Sequence, residues 1–202
     1  MGTKRKKLTT LALPPFPPLT WDGSAWNGCA VLKSWESFQT RLGPYGSESS
    51  DRPSDGIVRL SVSPAAPPPS ETSRKQPPSP AQAGAYRHLL EHEHAIRDIL
   101  ERAIAESYNA VAHLYIEAGV PDLPSILVNP KQVHELIGLS TVHVLAKEKD
   151  GAPYIGFQFG CKWDGEHGLG VMTHQGQVVA VGEADAAFCP PWPDRADGWL
   201  QE

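Results

Sequence analysis

From Thr141 onward the chain alternates apolar and polar residues with a period of two, and this run constrains the fold more than any other feature. Thr141–Ala146 reads as a strand and Lys149-Asp150-Gly151 as a turn. Tyr154–Trp163 sets Ile155, Phe157, Phe159, Cys161 and Trp163 on one face, with Gly156, Gln158, Gly160 and Lys162 on the other. Leu169–His174 and Gln177–Val181 follow, joined by Gln175-Gly176. Strands this close in sequence pair with their neighbours, so the reading is a four-stranded antiparallel meander. Its apolar face needs a cover.

The cover is a long amphipathic helix. Ser79 is placed to cap it, Pro80 suits the first helical position and Gln82 has capping-box spacing. Tyr86, Leu89, Leu90, Ile96, Ile99, Leu100, Ala103, Ile104 and Val111 recur at three- and four-residue steps, while Glu91, Glu93, Arg97, Asp98, Glu101 and Arg102 fall mostly on the remaining faces. The pattern fades by Gly119, before Pro121 and Pro124. A shorter helix repeats the punctuation: Asn129 caps, Pro130 opens, Gln132 completes the box and Gly138 ends it. The expected class is therefore α+β, an antiparallel sheet including the C-terminal meander packed on one long and one short helix.

The remainder divides by composition. Residues 1–20 are a basic and proline-rich N-terminal segment, partly ordered; residues 21–188 form a single α+β domain; residues 189–202 are an irregular tail. Within the domain, Trp21 to Ser24 and the stretches around Pro44 and Pro53 are turn signals, and Ile57–Val62 alternates as a strand. Trp21, Trp26 and Trp35 anchor this half. Seven of the chain's twenty prolines lie between Ser63 and Pro80, so residues 63–78 read as an exposed proline-rich loop.

A net charge of −5 argues against nucleic-acid binding through the overall field. Lys4-Arg5-Lys6-Lys7 reads as a solvated terminus. Three cysteines with no C-x-x-C pair indicate neither a disulfide framework nor a cysteine zinc site, and no stretch approaches the ~18 apolar residues of a membrane span. The default location is the cytoplasm, with no membrane or nucleic-acid partner expected. No nucleophile elbow, P-loop, dinucleotide fingerprint or triad is present.

The densest chemical string is Trp163-Asp164-Gly165-Glu166-His167-Gly168-Leu169-Gly170. Such a loop could hold a hard cation through Asp164, Glu166 and His167, place a general base, or present hydrogen bonds to a partner. The plainer reading is a polar turn whose carboxylates cap local N–H groups. Meander topology puts Glu183 and Asp185 at the same sheet end, with Thr141 and His143 entering there. The candidate binding set is Trp163, Asp164, Glu166, His167, Glu183 and Asp185; His143 is an outlying member. No cofactor is expected beyond a divalent metal at that loop. His88 and His92 have a ligand-compatible i, i+4 step, but a solvated histidine pair, with His94 on the same surface, is the better reading.

At these residues the chain resembles an uncharacterised bacterial domain family, of unknown function, with a C-terminal W-D-x-E-H-G-L-G signature. The similarity extends through Phe38–Gly46, Leu139–Val144 and Val178–Gly182. Gly165 stands where relatives are expected to carry an acidic residue, which removes one potential ligand. The resemblance implies a small stand-alone protein in the style of immunity proteins that neutralise toxins. It lends no activity.

Three readings follow. The first is a non-enzymatic protein-binding module of the immunity type that offers an acidic surface to a cationic toxin. In the second the octapeptide is a rigid structural turn. The third is a metal-assisted hydrolase using Asp164, Glu166 and His167. The ranking is in that order, leaning away from an enzyme, and the oligomeric state is left open.

Overall fold

The computed structural model describes residues 9–41, 50–65 and 75–190. The basic run, the turn around Pro44, the centre of the proline-rich loop and the tail from residue 191 lie outside these. The strands are β1 (Thr10–Leu11), β2 (Leu19–Trp21), β3 (Trp26–Val31), β4 (Gln39–Thr40), β5 (Ser50–Pro53), β6 (Ile57–Val62), β7 (Ile137–Lys149), β8 (Ala152–Cys161), β9 (Leu169–His174) and β10 (Gln177–Gly182). The helices are α1 (Pro80–Glu91) and α2 (Glu93–Glu117). Among the described residues, no helix is long and apolar enough to cross a membrane.

Eight strands make one sheet in the order β1-β2-β3-β6-β7-β8-β9-β10, so the architecture is α+β and the meander holds. Its tight turns have positive φ at both central residues, Asp150-Gly151 and Gln175-Gly176, the conformation that continues the strand twist. The N-terminal strands extend this same sheet. They join through β6 and β7, which pair in parallel and depart from a purely antiparallel arrangement. A parallel pair needs a long crossover, and α1 and α2 supply it.

The expected single long helix is divided at His92 (φ −122°, ψ 21°). There the imidazole Nδ1 lies 3.0 Å from the His88 carbonyl, the acceptor of His92's own N–H. Both capping boxes are present, at Ser79/Gln82 and Asn129/Gln132. Gln82 does more than cap: fully buried, its Nε2 donates to the carbonyls of Ser63 (2.9 Å) and Val144 (3.3 Å), tying α1 to β6 and β7. The shorter helix is 3-10 in character, spans Pro130–Glu135 and stops at Leu136, not at Gly138. Gly138 belongs to β7, where a Cβ would stand 2.3 Å from the Gln39 carbonyl oxygen; it is a site of close approach by β4.

Ile155, Phe157, Phe159, Cys161 and Trp163 all enter one core with Leu100, Ile104 and Tyr108 of α2. The opposite face of β8 and β9 is also covered. A short 3-10 turn, Ala184–Ala187, lies directly on it, with the Ala187 carbonyl oxygen 1.6 Å from where a Cβ on Gly156 would be and the Glu183 oxygen 2.5 Å from one on Gly170. Glycine is required at both positions by space alone.

Gly156→Ala should therefore cost at least ~3 kcal/mol in chemical denaturation by displacing that turn. Gly84→Ala, on α1 where a Cβ meets nothing within 4 Å, should stabilise by ~0.5–1 kcal/mol. Ser79→Ala should cost ~1 kcal/mol through the lost cap, whereas Gln82→Ala should cost ~2–3 kcal/mol because the Ser63 carbonyl loses the Gln82 donor and the Val144 carbonyl keeps only the Ser63 N–H. Equal costs for the last two would show that Gln82 only caps.

Candidate functional site

The loop between β8 and β9 is organised by Asp164. Its Oδ1 accepts the His167 N–H at 2.8 Å, and its two oxygens lie 3.1 and 3.2 Å from His167 Nδ1. Oδ2 also accepts from the Tyr115 hydroxyl of α2 at 3.2 Å. The Asp164 carbonyl accepts from the Gly168 N–H (3.0 Å) and from the Cys161 thiol (3.3 Å). Gly168 takes a positive φ of 68° to close the turn. Trp163 lies beneath, buried, in an edge-on contact of 5.0 Å with Tyr108. It supports the loop from inside.

Electrostatics follow from this packing. The hydrogen bond and the charge of Asp164, with Glu183 and Glu166 adding, hold the His167 imidazole above its ordinary range. Burial, then the Asp164 carboxylate, pushes Tyr115 up to about 12, so it stays a hydrogen-bond donor. Burial likewise pushes the Cys161 thiol up to about 12, which leaves it protonated and unsuited to nucleophilic work.

The segment past β10 meets the loop at one rim. Ala184 N–H donates to the His167 carbonyl at 3.2 Å. Glu183 and Asp185 flank that bond, both exposed, as is Glu166. Phe188, 44% exposed, follows within the same turn, its N–H bonded to the Asp185 carbonyl. His143 stands apart from the carboxylates, in the middle of β7 opposite Gly156, bonded to Gln158 (2.9 Å) and in a tilted ring contact with Phe188 at 5.3 Å. Burial holds its imidazole below the usual range.

His88 and His92 lie with their rings in contact at 4.1 Å, tilted by 30°, and His94 is exposed beside Glu93. Among the described residues, no three His, Cys, Asp or Glu side chains gather as a cation-binding group. A cleft of about 350 Å³ opens at the other end of the sheet, between α1 (Gly84, Ala85, His88) and the turns at Gly151 and Gly176.

Sequence reasoning missed the buried pair Glu101–His134. Glu101 is among the charged residues expected mostly on the faces outside the apolar stripe, yet it is 2% exposed, with His134 Nε2 at 2.7 Å and Arg97 Nε at 3.1 Å. The i, i+4 step from Arg97 to Glu101 was the available signal; the partner from the 3-10 helix was not. Tyr115 and Asn109, which hold the loops next to α2, were also missed, since neither breaks the helical pattern.

A family model described as a domain of unknown function (DUF6985) matches residues 59–188. The span runs from β6 through the Ala184–Ala187 turn, and so takes in both sides of the rim, while Phe38–Gly46 lies outside it. No curated protein and no solved structure matches the chain.

Because the His167 value is raised in the folded state, its contribution to stability is fully present below the ordinary histidine range. It is lost as pH rises through the raised value. Asp164→Asn should bring the His167 titration, followed by NMR, back toward the ordinary range and flatten that pH dependence. An unchanged titration would show that Asp164 does not set it.

Proposed function

The chain belongs to the family described as a domain of unknown function (DUF6985), and from that premise, which brings no activity with it, we propose a non-enzymatic protein-binding module of the immunity type. Its contact face is the acidic rim of Glu166, Glu183 and Asp185. The observation that carries this reading is the 3.2 Å bond from Ala184 N–H to the His167 carbonyl, which holds the two acidic segments side by side. None of the three carboxylates forms a salt bridge among the described residues; His167 is the basic group beside Glu166 and Glu183.

Unpaired charge of one sign steers an oppositely charged surface and sets its register. A cationic protein such as a toxin offers that surface. Tyr115, Asp164 and the Ala184–Ala187 turn hold the rim in place before contact, so little ordering cost remains on binding. The exposed Phe188 ring supplies an aromatic anchor beside the charges. A metal-assisted hydrolase at this loop is less well supported. Both Asp164 oxygens are already engaged, and the 350 Å³ cleft lies at the opposite sheet end.

Charge reversal at two exposed positions, Glu166→Lys with Glu183→Lys, tests the reading. The melting temperature should move by less than ~2 °C. Wild-type protein should capture a basic protein from host extract at low salt, with capture at least ~10-fold lower in the variant and at high salt. Equal capture by wild type and variant would refute the acidic rim as the contact.

A further inference from the structure

The cleft at the far end of the sheet is kept open by its composition. On the α1 side it is faced by Gly84, Ala85 and His88, and on the sheet side by the turn glycines Gly151 and Gly176. Its floor, made by Ile96, Ile155 and Thr173, is buried. Glycine inside a helix costs stability, and a close neighbour is the usual reason for one. Gly84 has no such neighbour: a Cβ there would meet nothing within 4 Å. Packing therefore does not hold this position to glycine. What the missing side chain leaves is room, about 350 Å³ in all, which is the size of a small-molecule pocket.

The lining fixes the chemistry of an occupant. None of the described residues that line the cleft is Asp, Glu, Lys or Arg, so a charged molecule would give up hydration and gain no counter-charge. Thr173 donates its one hydroxyl proton to the Ile155 carbonyl at 2.9 Å, which leaves its oxygen able only to accept. An occupant must bring the donor. At the mouth, His88 Nε2 lies 4.0 Å from where a Cβ on Gly176 would stand, and the His92 ring backs the His88 ring at 4.1 Å. The two imidazoles make an aromatic wall against which another ring can lie.

We propose that this cleft binds a small, uncharged aromatic molecule whose N–H or O–H donates to Thr173 Oγ1, with its ring against His88. The site lies at the opposite end of the sheet from the acidic rim and does not depend on it. Gly84 links the site to the fold: a side chain there strengthens α1 and at the same time narrows the cleft, so stability and binding should move in opposite directions.

Benzamide and benzoate share a shape and differ in donor and charge, which makes them the probes. Titrated into the isotope-labelled full chain at about pH 8, benzamide should shift the amide signals of Gly84, Gly151, Thr173 and Gly176 saturably, with a Kd on the order of 1 mM. Benzoate, with no donor for Thr173, should bind at least ~10-fold more weakly. Gly84→Leu should weaken benzamide at least ~10-fold while the melting temperature holds or rises. Thr173→Val keeps the shape without the acceptor and should weaken benzamide ~5-fold; it decides the matter if the leucine variant misfolds. Shifts that do not saturate, or that map away from the cleft, overturn the proposal. So does equal affinity for the two probes, or benzamide binding indifferent to both substitutions.

Discussion

The Ala187 carbonyl occupies the space that a side chain on Gly156 would fill, and the second face of the meander depends on that contact. A sheet buried on both sides ordinarily needs a separate layer for each. Here the helices cover one face of β7–β9, and the chain leaving β10 folds straight back over the other. Because the covering backbone rests on glycine, it lies close enough for the Ala184 N–H to reach the His167 carbonyl. The acidic rim is a consequence of this close packing. With larger residues at Gly156 and Gly170, Glu183 and Asp185 would stand away from the loop.

The C-terminal half of α2 is the other organiser. Tyr108 backs Trp163, Tyr115 binds the Asp164 carboxylate, and Asn109 completes the backbone of Leu127. Positions on one helix therefore hold both the acidic loop and the segment at Leu127. Further toward the N-terminus, Glu101 sits between Arg97 and His134 and joins α2 to the 3-10 helix. Burying that carboxylate would be costly without both partners. Alignment of α2 against the 3-10 helix is thereby specified by polar contacts as well as by the apolar stripe.

The strands of the meander, their two tight turns and both capping boxes were legible because each rests on residues within a few positions of one another. Ser79 and Gln82, or Asp150 and Gly151, declare their conformation locally. The break at His92 was not legible. His92 is an acceptable helical residue, and what divides the helix is a ring sharing the His88 carbonyl with the backbone. Gly138 was misread for the opposite reason: glycine near a helix end looks like a cap, and only the approach of β4 gives it its purpose. The parallel joint of β6 and β7 had no local mark at all, since strand direction follows from where the crossover lands.

For the candidate site, sequence placed Asp164, Glu166, His167, Glu183 and Asp185 at one sheet end, because alternating strand direction alone dictates it. It treated them as equivalent, however. Packing separated them into a structural Asp164, clamped by Tyr115 and His167, and the exposed Glu166, Glu183 and Asp185. Short-range alternation and capping are set by bonds to near neighbours in the chain and so are written in the sequence. Which carboxylate is consumed by the fold depends on residues some fifty positions away, as Tyr115 is from Asp164, and only tertiary packing brings those together.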